Sequence, residues 1–252
     1  MNKLPTKIAI VGTGRVAEAF LKFFSSFQHI KIVLVGRNKE RLLSLNRKFS
    51  VEFTEDFEIP HIEWSLVAVS DSALHEVIPK LKSTFVSITS GIADYSAFKN
   101  NCSIFYPLQT FSFQSELDFS EIPIIIDGDN KAKNILKDWG AELGLNTSIL
   151  SYEEREKLHL VAVFLNNFVH HLMAKGINLA KDFNLNTDLF KSLLKETFNR
   201  FDSINPYAQQ TGPAIRNDEE TIEKHRKHLT QENLLIYDLL TKSIKTIGHG
   251  KL

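Results

Sequence analysis

A glycine-rich turn close to the start of the chain constrains the fold more than any other feature. It follows a short apolar run over residues 7–11, and a helical pattern of apolar residues begins directly after it. Gly12 permits a tight turn, Gly14 leaves room for a ligand to approach the backbone, and Ala17 lets the helix pack on its strand. This order is typical of sites where the pyrophosphate of a dinucleotide meets a helix N-terminus. The candidate cofactor-binding residues of this segment are Gly12, Thr13, Gly14, Arg15, Val16 and Ala17.

The first 150 residues alternate between short β-rich runs and helical patterns. Strands are predicted over residues 7–11, 31–35, 51–53, 65–69, 85–89, 103–106, 123–127 and 147–150. The first strands are continuous apolar runs, as expected for parallel strands that are covered on both faces. The predicted fold class is therefore α/β, with an N-terminal, doubly wound, Rossmann-like parallel sheet.

The character of the chain changes after residue 151. Helices are predicted over residues 152–181, 187–203, 218–229 and 231–247, with interruptions at Asn205-Pro206 and Gly212-Pro213. We therefore expect a dinucleotide-binding domain at 1–150 and an all-α domain at 151–252, for the substrate and for dimerisation. A small helical domain that opens with such an apolar helix often completes its core against a second copy, so a homodimer is expected.

Composition gives no support for nucleic-acid binding, a membrane span, a disulfide or a thiolate-rich metal site. Lys plus Arg equals Asp plus Glu, at 30 each, so nothing global favours binding to nucleic acid or to an anionic membrane surface. No apolar run reaches the roughly 18 residues of a membrane span. The single cysteine, Cys102, excludes an internal disulfide and a thiolate-rich metal site, and we expect it to be a packing residue. A cytoplasmic protein without a metal site is the expectation.

The end of the second predicted strand bears on the choice of cofactor. An enzyme that selects NAD usually has Asp or Glu there, whereas this chain has Arg37 and Asn38. A guanidinium group suits a 2′-phosphate, which favours NADP over NAD. The alternative is that Arg37 is a solvated loop residue and that Asn38 caps the next helix, and Asn38 could serve both roles.

Several further segments carry a family resemblance over nearly the whole chain. They are Val69-Ser70-Asp71, Ser90-Gly91, Pro107-Leu108-Gln109-Thr110-Phe111, His159 with Asn167, and Thr211-Gly212-Pro213-Ala214-Ile215-Arg216-Asn217-Asp218 followed by His225. With the glycine-rich turn, they resemble the proteins that pair a Rossmann-like domain with domain of unknown function 2520. That family lies within the superfamily of pyrroline-5-carboxylate reductase, ketopantoate reductase and 6-phosphogluconate dehydrogenase. The resemblance implies a reductase-like architecture.

The chain departs from the family pattern at two positions. Tyr106 stands where the family commonly has His before the Pro of the Pro-x-x-Thr-Phe motif. Asn217 stands where the family often has Gly, and Asn tolerates the left-handed turn that Gly would adopt. Some members of the superfamily use a deazaflavin as electron partner, and the sequence leaves that possibility open.

Ligands of open α/β sheets bind beyond the carboxyl ends of the strands. This rule places Ser70 and Asp71 along the cofactor, and Ser90 and Gly91 where the nicotinamide ring should reach. The other interpretation of Asp71, which we favour over a catalytic role, is that it caps the following helix.

The long predicted helix carries His159, Asn166, Asn167 and His170 at spacings that share or adjoin one face. The resemblance implies that this helix brings a polar pair to the nicotinamide. His159 could supply a proton, and Asn167 could orient or polarise the substrate. Alternatively, His159 packs on the sheet domain and the Asn pair bonds across a helical interface.

Arg216 is the cation of the Thr211–Asp218 segment and could pair with a substrate carboxylate, or with Asp218 or Glu219. The candidate catalytic residues are thus His159, Asn167 and Arg216. The first hypothesis is an NADP-dependent reductase of a small ketone or imine that bears a carboxylate. The alternative is a protein that binds a dinucleotide for structure or sensing, without turnover.

Overall fold

The computed structural model describes residues 2–98, 101–112, 117–200 and 206–249. The chain divides into two compact units, Met1–Val163 and Phe164–Leu252. The first unit therefore includes the helix that begins at Tyr152, which the sequence analysis groups with the helical domain.

The first unit contains an eight-stranded sheet. Its strands are β1 (Lys7–Val11), β2 (Lys31–Val35), β3 (Glu52–Thr54), β4 (Trp64–Val67), β5 (Phe85–Ile88), β6 (Cys102–Pro107), β7 (Pro123–Asp127) and β8 (Asn146–Ile149). The spatial order is β3-β2-β1-β4-β5-β6-β7-β8, and neighbouring strands are parallel except for the antiparallel pair of β6 and β7. The predicted α/β, Rossmann-like fold is confirmed, and each predicted strand is present within two residues of its expected ends.

Helices of the first unit are α1 (Arg15–Phe24), α2 (Lys39–Phe49), α3 (Leu74–Val77), α4 (Asn130–Glu142) and α5 (Tyr152–Ala162). The apolar pattern of residues 73–81 predicts one continuous helix, and α3 differs from this prediction. The structure has a short α-helix between two 3₁₀ turns, Asp71–Ala73 and Ile78–Lys80. Pro79 explains the break, because its ring has no N–H to donate and favours the start of a new turn.

Apolar side chains cover both faces of the sheet. One face packs Trp64 and Phe105 against the aromatic side of α1, where Phe20 and Phe24 are fully buried. The other face forms a second cluster that includes Cys102, which is buried as expected for a packing residue. Because the strands are buried on both faces, their sequences are continuous apolar runs.

The second unit is helical. It begins in a π-helical segment, Val163–Phe168, which joins α5 to α6 (Val169–Asp182). The remaining helices are α7 (Lys191–Asn199), α8 (Glu219–Arg226) and α9 (Gln231–His249). The predicted helix 187–203 is a 3₁₀ turn, Thr187–Phe190, followed by α7, and residues 201–203 lie outside the described residues.

The continuous helix Tyr152–Asp182 is long and apolar enough to cross a membrane, contrary to the expectation that no such segment is present. Length and composition alone are weak grounds for a membrane span, because helices of soluble proteins meet the same criteria.

Candidate functional site

The glycine-rich turn follows β1 and is held tightly against the sheet. The N–H of Gly12 donates to the carbonyl of Val35 at 2.8 Å, which joins the turn to the end of β2. Gly12 has a φ of +126°, and a Cβ at this position would lie 2.2 Å from the carbonyl oxygen of Ala68. Only glycine fits here, both for its backbone conformation and for the space available.

Gly14 precedes α1 and, unlike Gly12, has free space beside its backbone. A Cβ at Gly14 would meet no heavy atom within 4 Å, and no side chain caps α1 within the described part of the chain. Ala17 is fully buried one turn into the helix, as the close packing of α1 on the sheet requires. The first turn of α1 therefore presents backbone N–H groups and the positive end of the helix dipole to an anion.

A cleft of about 300 Å³ lies beside this turn, at the carboxyl ends of β1, β2 and β4. Of the predicted cofactor-binding residues, Gly12, Thr13, Gly14, Arg37, Asn38 and Ser70 line it, and the structure adds Gly36, Phe57, Ala68, Val69, Ala73 and Val77. A larger cleft, of about 840 Å³, borders other residues of α1 and shares only Arg15 with the predicted set. The smaller cleft is the one that the dinucleotide-binding prediction describes.

Arg37 and Asn38 take up the two positions that follow β2 and Gly36. Asn38 caps α2, because its side chain accepts a hydrogen bond from the N–H of Arg41 at 2.9 Å. Nη1 of Arg37 lies 3.3 Å from a carboxylate oxygen of Glu76, and both side chains are more than half exposed. An exposed ion pair of this kind is weak, so a phosphate could displace Glu76 from Arg37.

Polar residues follow β4 and β5 along the same edge of the sheet. The hydroxyl groups of Ser70 and Ser72 lie 3.1 Å apart. The prediction that Asp71 caps the following helix is wrong, because Asp71 is the first residue of the 3₁₀ turn Asp71–Ala73. Ser70 holds the cap position of that turn, without a side-chain capping bond among the described residues. After β5, the hydroxyl of Ser90 accepts a hydrogen bond from the N–H of Ile92 at 3.3 Å.

Gly91 lies between an aromatic ring and a buried cation. A Cβ at Gly91 would lie 2.7 Å from Cε1 and 2.9 Å from Cζ of Tyr106, so the tyrosine ring rests directly on the glycine backbone. On the carbonyl side, Nη1 of Arg155 donates to the oxygens of Gly91 and Ala93, at 2.8 and 3.0 Å.

Arg155 is a structural residue that no sequence pattern singles out. It is fully buried, and its Nη2 lies 3.3 Å from Oδ2 of Asp127 at the end of β7. The guanidinium thus joins α5 to the ends of β5 and β7. An acidic residue that directly follows the apolar run Ile124–Ile126 was the available signal, since a carboxylate at that depth requires a partner.

His159 lies one turn after Arg155 on α5, in the first unit. It is half-buried, and its Nδ1 is buried without a hydrogen-bond partner among the described residues. Asn167 lies in the π-helical segment, in the second unit, and is exposed. The predicted pair is thus divided between the two units.

Arg216 belongs to the second unit and is exposed. Asp218 caps α8 through the N–H of Thr221 at 3.1 Å, and Glu219 pairs with Lys245. These two carboxylates were the alternative partners of Arg216. The pKa of Asp218 is lowered, first by the backbone N–H and hydroxyl of Thr221 and to a smaller extent by the charge of Arg216. Asn217 has a φ of +54°, the left-handed conformation that the family's glycine would adopt.

These features fit a dinucleotide. A Cβ at Gly12 would fill the cradle of the turn, the N-terminus of α1 has no side-chain cap within the described residues, and Gly14 leaves its backbone open. Bound there, a pyrophosphate would meet N–H donors, and the two halves of the molecule would extend along the strand ends on either side of β1.

Comparisons with known proteins agree with this geometry. Residues 7–91 match the family described as NADP oxidoreductase, coenzyme F420-dependent, and residues 122–244 match domain of unknown function 2520. The chain is similar to the crystal structure of a proposed NADP oxidoreductase from Bacteroides fragilis, with 30% identity over 96% of this chain and 98% of that one and a TM-score of 0.88. No curated protein matches the chain significantly.

Two more distant structures share the fold alone. A Thermotoga maritima protein has 22% identity over 96% of this chain and 98% of that one, with a TM-score of 0.67. The 1-pyrroline-5-carboxylate reductase of Streptococcus pyogenes has 14% identity over 95% and 98%, with a TM-score of 0.55. The chain therefore belongs to the family of NADP oxidoreductases that join an F420-dependent-type dinucleotide-binding domain to domain of unknown function 2520.

Proposed function

We propose that the protein is an NADP-dependent reductase of a small ketone or imine that carries a carboxylate. The observation that carries the proposal is the glycine turn, in which Gly12 is sterically obligatory and Gly14 is open beside a cleft at the carboxyl ends of the strands. When bound, the dinucleotide would supply a hydride. Gly12, Thr13 and Gly14 would hold its pyrophosphate, and Ser90 and Gly91 would lie beside its nicotinamide.

Arg37 supports the choice of NADP over NAD. It lines the cleft after β2, and its ion pair with Glu76 is exposed to solvent. A 2′-phosphate carries more charge than the carboxylate and can accept two parallel hydrogen bonds from the guanidinium. Glu76 also pairs with Lys80 at 3.0 Å, so it keeps a partner when Arg37 turns to the phosphate.

Substitution of Arg37 tests this assignment. We expect Arg37→Ala to weaken NADPH binding by roughly 10- to 100-fold, the effect of losing charge-assisted hydrogen bonds, and to leave NADH binding within about twofold. Fluorescence titration of each reduced cofactor measures both affinities. Lys80→Ala, which removes another cation from Glu76 but none from the cleft lining, is the matched control. A parent-like NADPH affinity in Arg37→Ala would contradict the assignment.

His159, Asn167 and Arg216 are the proposed substrate-binding and catalytic residues. His159 is half-buried, and the accessible part of its imidazole could exchange a proton with a ligand. The amide of Asn167 is exposed and could bind a substrate oxygen. Arg216, whose neighbouring carboxylates have other partners, would bind the substrate carboxylate.

We further propose a homodimer formed through the helical unit. Among the described side chains of Phe164–Leu252, only Ala180, Ala214, Ile222 and Thr241 are buried, so this unit has almost no core of its own. Large apolar side chains are instead exposed, at 71% for Leu189, 63% for Leu193 and 69% for Leu235. Exposed apolar surface of this extent usually marks an association surface, and a second copy would supply the missing core.

A single charge on α7 tests the dimer. The parent should elute with twice the mass of the chain in size-exclusion chromatography with light scattering. Leu193→Glu should shift the protein towards monomer, because a carboxylate would have to be desolvated at the contact. Ser192→Glu adds the same charge at the adjacent exposed position of the same helix and serves as control. A monomeric parent would contradict the proposal.

A cytoplasmic location is proposed with this function, since NADPH-dependent reduction and a lone buried cysteine both suit a reducing compartment. Binding of NADPH without oxidation in the presence of 2-oxo acids or cyclic imino acids would favour the alternative function, a dinucleotide-sensing protein.

A further inference from the structure

Tyr106 combines a fixed position at the sheet edge with a hydroxyl group that has no hydrogen-bond partner among the residues that the structure describes. It lies near the end of β6, which is parallel to β5, so its backbone is at the same edge as the Ser90–Gly91 turn. Its ring rests on Gly91, and among the described residues its hydroxyl forms no hydrogen bond. The residue is half-buried, so a rigid, oriented O–H group borders the edge where ligands of such sheets bind.

The position along the edge is suited to the reacting end of a dinucleotide. In the strand order, β6 is three strands from β1, on the side of β4 and β5. At a strand spacing of about 4.8 Å this places Tyr106 roughly 14 Å from the pyrophosphate-binding turn. Arg37 follows β2, which lies on the other side of β1, where the adenosine half belongs. Tyr106 is therefore on the nicotinamide side.

Neighbouring groups hold Tyr106 and Gly91 in register. Arg155 fixes the carbonyl of Gly91 from the other direction and is itself held by Asp127. Burial raises the pKa of the Tyr106 hydroxyl above its ordinary value, so this neutral phenol releases its proton only to a stronger base, such as the anion that hydride addition would create on the heteroatom. A neutral phenol that is rigidly placed can donate a hydrogen bond, and then a proton, to a heteroatom.

We propose that the Tyr106 hydroxyl is the proton donor of the reduction, acting on the heteroatom of a substrate double bond at the edge of the sheet beside Tyr106. This inference rests on the proposed reductase function. The substrate carbon gains a hydride from the dinucleotide, and the π electron pair of the C=O or C=N bond moves to the heteroatom. That atom takes the Tyr106 proton as the phenolic O–H bond breaks, and a proton from water restores the phenol. His159 then serves to bind substrate or to relay the proton from water.

Tyrosine NMR tests the location of Tyr106 independently of turnover. The chain has five tyrosines, so ¹³Cζ-tyrosine labelling gives five signals, and Tyr106→Phe identifies one of them. We expect NADPH to shift the Tyr106 signal saturably, at the dissociation constant that NADPH fluorescence gives. A Tyr106 signal that is unchanged when fluorescence reports bound NADPH would overturn the proposal and leave the proposed function standing.

Kinetics then test the chemical role. Parent, Tyr106→Phe and Tyr95→Phe are compared for NADPH oxidation with a panel of 2-oxo acids and cyclic imino acids. Tyr95 is a half-buried tyrosine of the same apolar cluster and is the matched control. We expect Tyr106→Phe to lower kcat by about 100-fold or more with NADPH affinity unchanged, and Tyr95→Phe to retain kcat within about threefold.

The outcomes separate the two claims. A Tyr106→Phe variant that retains kcat within about threefold of an active parent overturns the role of Tyr106 alone. A parent that does not bind NADPH, or that oxidises it with no member of the panel, overturns the reductase function and this inference with it.

Discussion

Replacement of Arg155 by methionine is expected to lower the free energy of unfolding of the sheet unit by about 3–5 kcal/mol. The side chain is fully buried and donates to two backbone carbonyls, those of Gly91 and Ala93, and to Asp127. Methionine fills similar space but leaves all three acceptors without this partner, and the Asp127 carboxylate remains buried without a counter-ion.

Urea unfolding monitored by tryptophan fluorescence measures this loss. Both tryptophans of the chain, Trp64 and Trp139, lie in the first unit, so the signal reports the unit that contains Arg155. Lys157→Met, which removes an exposed cation from the same helix, should change the stability by less than about 0.5 kcal/mol. If the two variants were equally stable, the buried guanidinium would not hold α5 to the sheet.

The second large effect is expected at Gly12. Gly12→Ala places a Cβ 2.2 Å from the carbonyl oxygen of Ala68, in a backbone conformation with a φ of +126°. Strain and overpacking should together cost about 2–5 kcal/mol of stability, because the obstructing atoms are backbone and cannot rotate away. The same urea titration measures the effect.

Gly14→Ala is the matched variant, because its Cβ would meet open space at a φ of −79°. Its stability should remain within about 1 kcal/mol of the parent, the usual cost of alanine at an N-cap, whereas NADPH binding should weaken by roughly tenfold or more, since the methyl group would occupy the approach of the pyrophosphate. Two alanine variants with the same stability would contradict the close packing of the turn on β4. Unchanged NADPH binding in Gly14→Ala would contradict binding of the pyrophosphate at this turn.

The sheet could be predicted from the sequence because strands covered on both faces are short apolar runs with clear ends. β1, β2 and β7 have the predicted bounds for this reason. The glycine turn could be located because its requirements are local: a residue with positive φ, an open backbone and a small residue inside the helix. Asn38 could be placed as a helix cap on similarly local grounds.

The features that could not be predicted depend on contacts between residues that are distant in sequence. Arg155 contacts Gly91 and Asp127, which precede it by 64 and 28 residues, and no helical periodicity reveals such partners. In the sequence, Tyr106 is notable only because it replaces a histidine that is common in the family. Its packing on Gly91 could not be predicted, because that contact depends on the pairing of β5 with β6.

In the helix 152–182, the prediction of which residues share a face fails for a different reason. Asn166 and Asn167 share or adjoin the face of His159 only if the helix has 3.6 residues per turn throughout, but the segment Val163–Phe168 is π-helical. A π segment changes the angular relation of the residues on its two sides, and the sequence contains no recognisable signal for it.

Thermal unfolding with NADPH, and with NADH for comparison, tests most directly the claim that this chain binds a nicotinamide dinucleotide. A ligand at about 100 times its dissociation constant stabilises a protein by roughly 2.7 kcal/mol. For a chain of this size, that corresponds to a rise in Tm of about 5–10 °C. We predict such a rise with NADPH and a smaller one with NADH at the same concentration. An unchanged Tm with both cofactors would contradict the dinucleotide site and, with it, the proposed reductase.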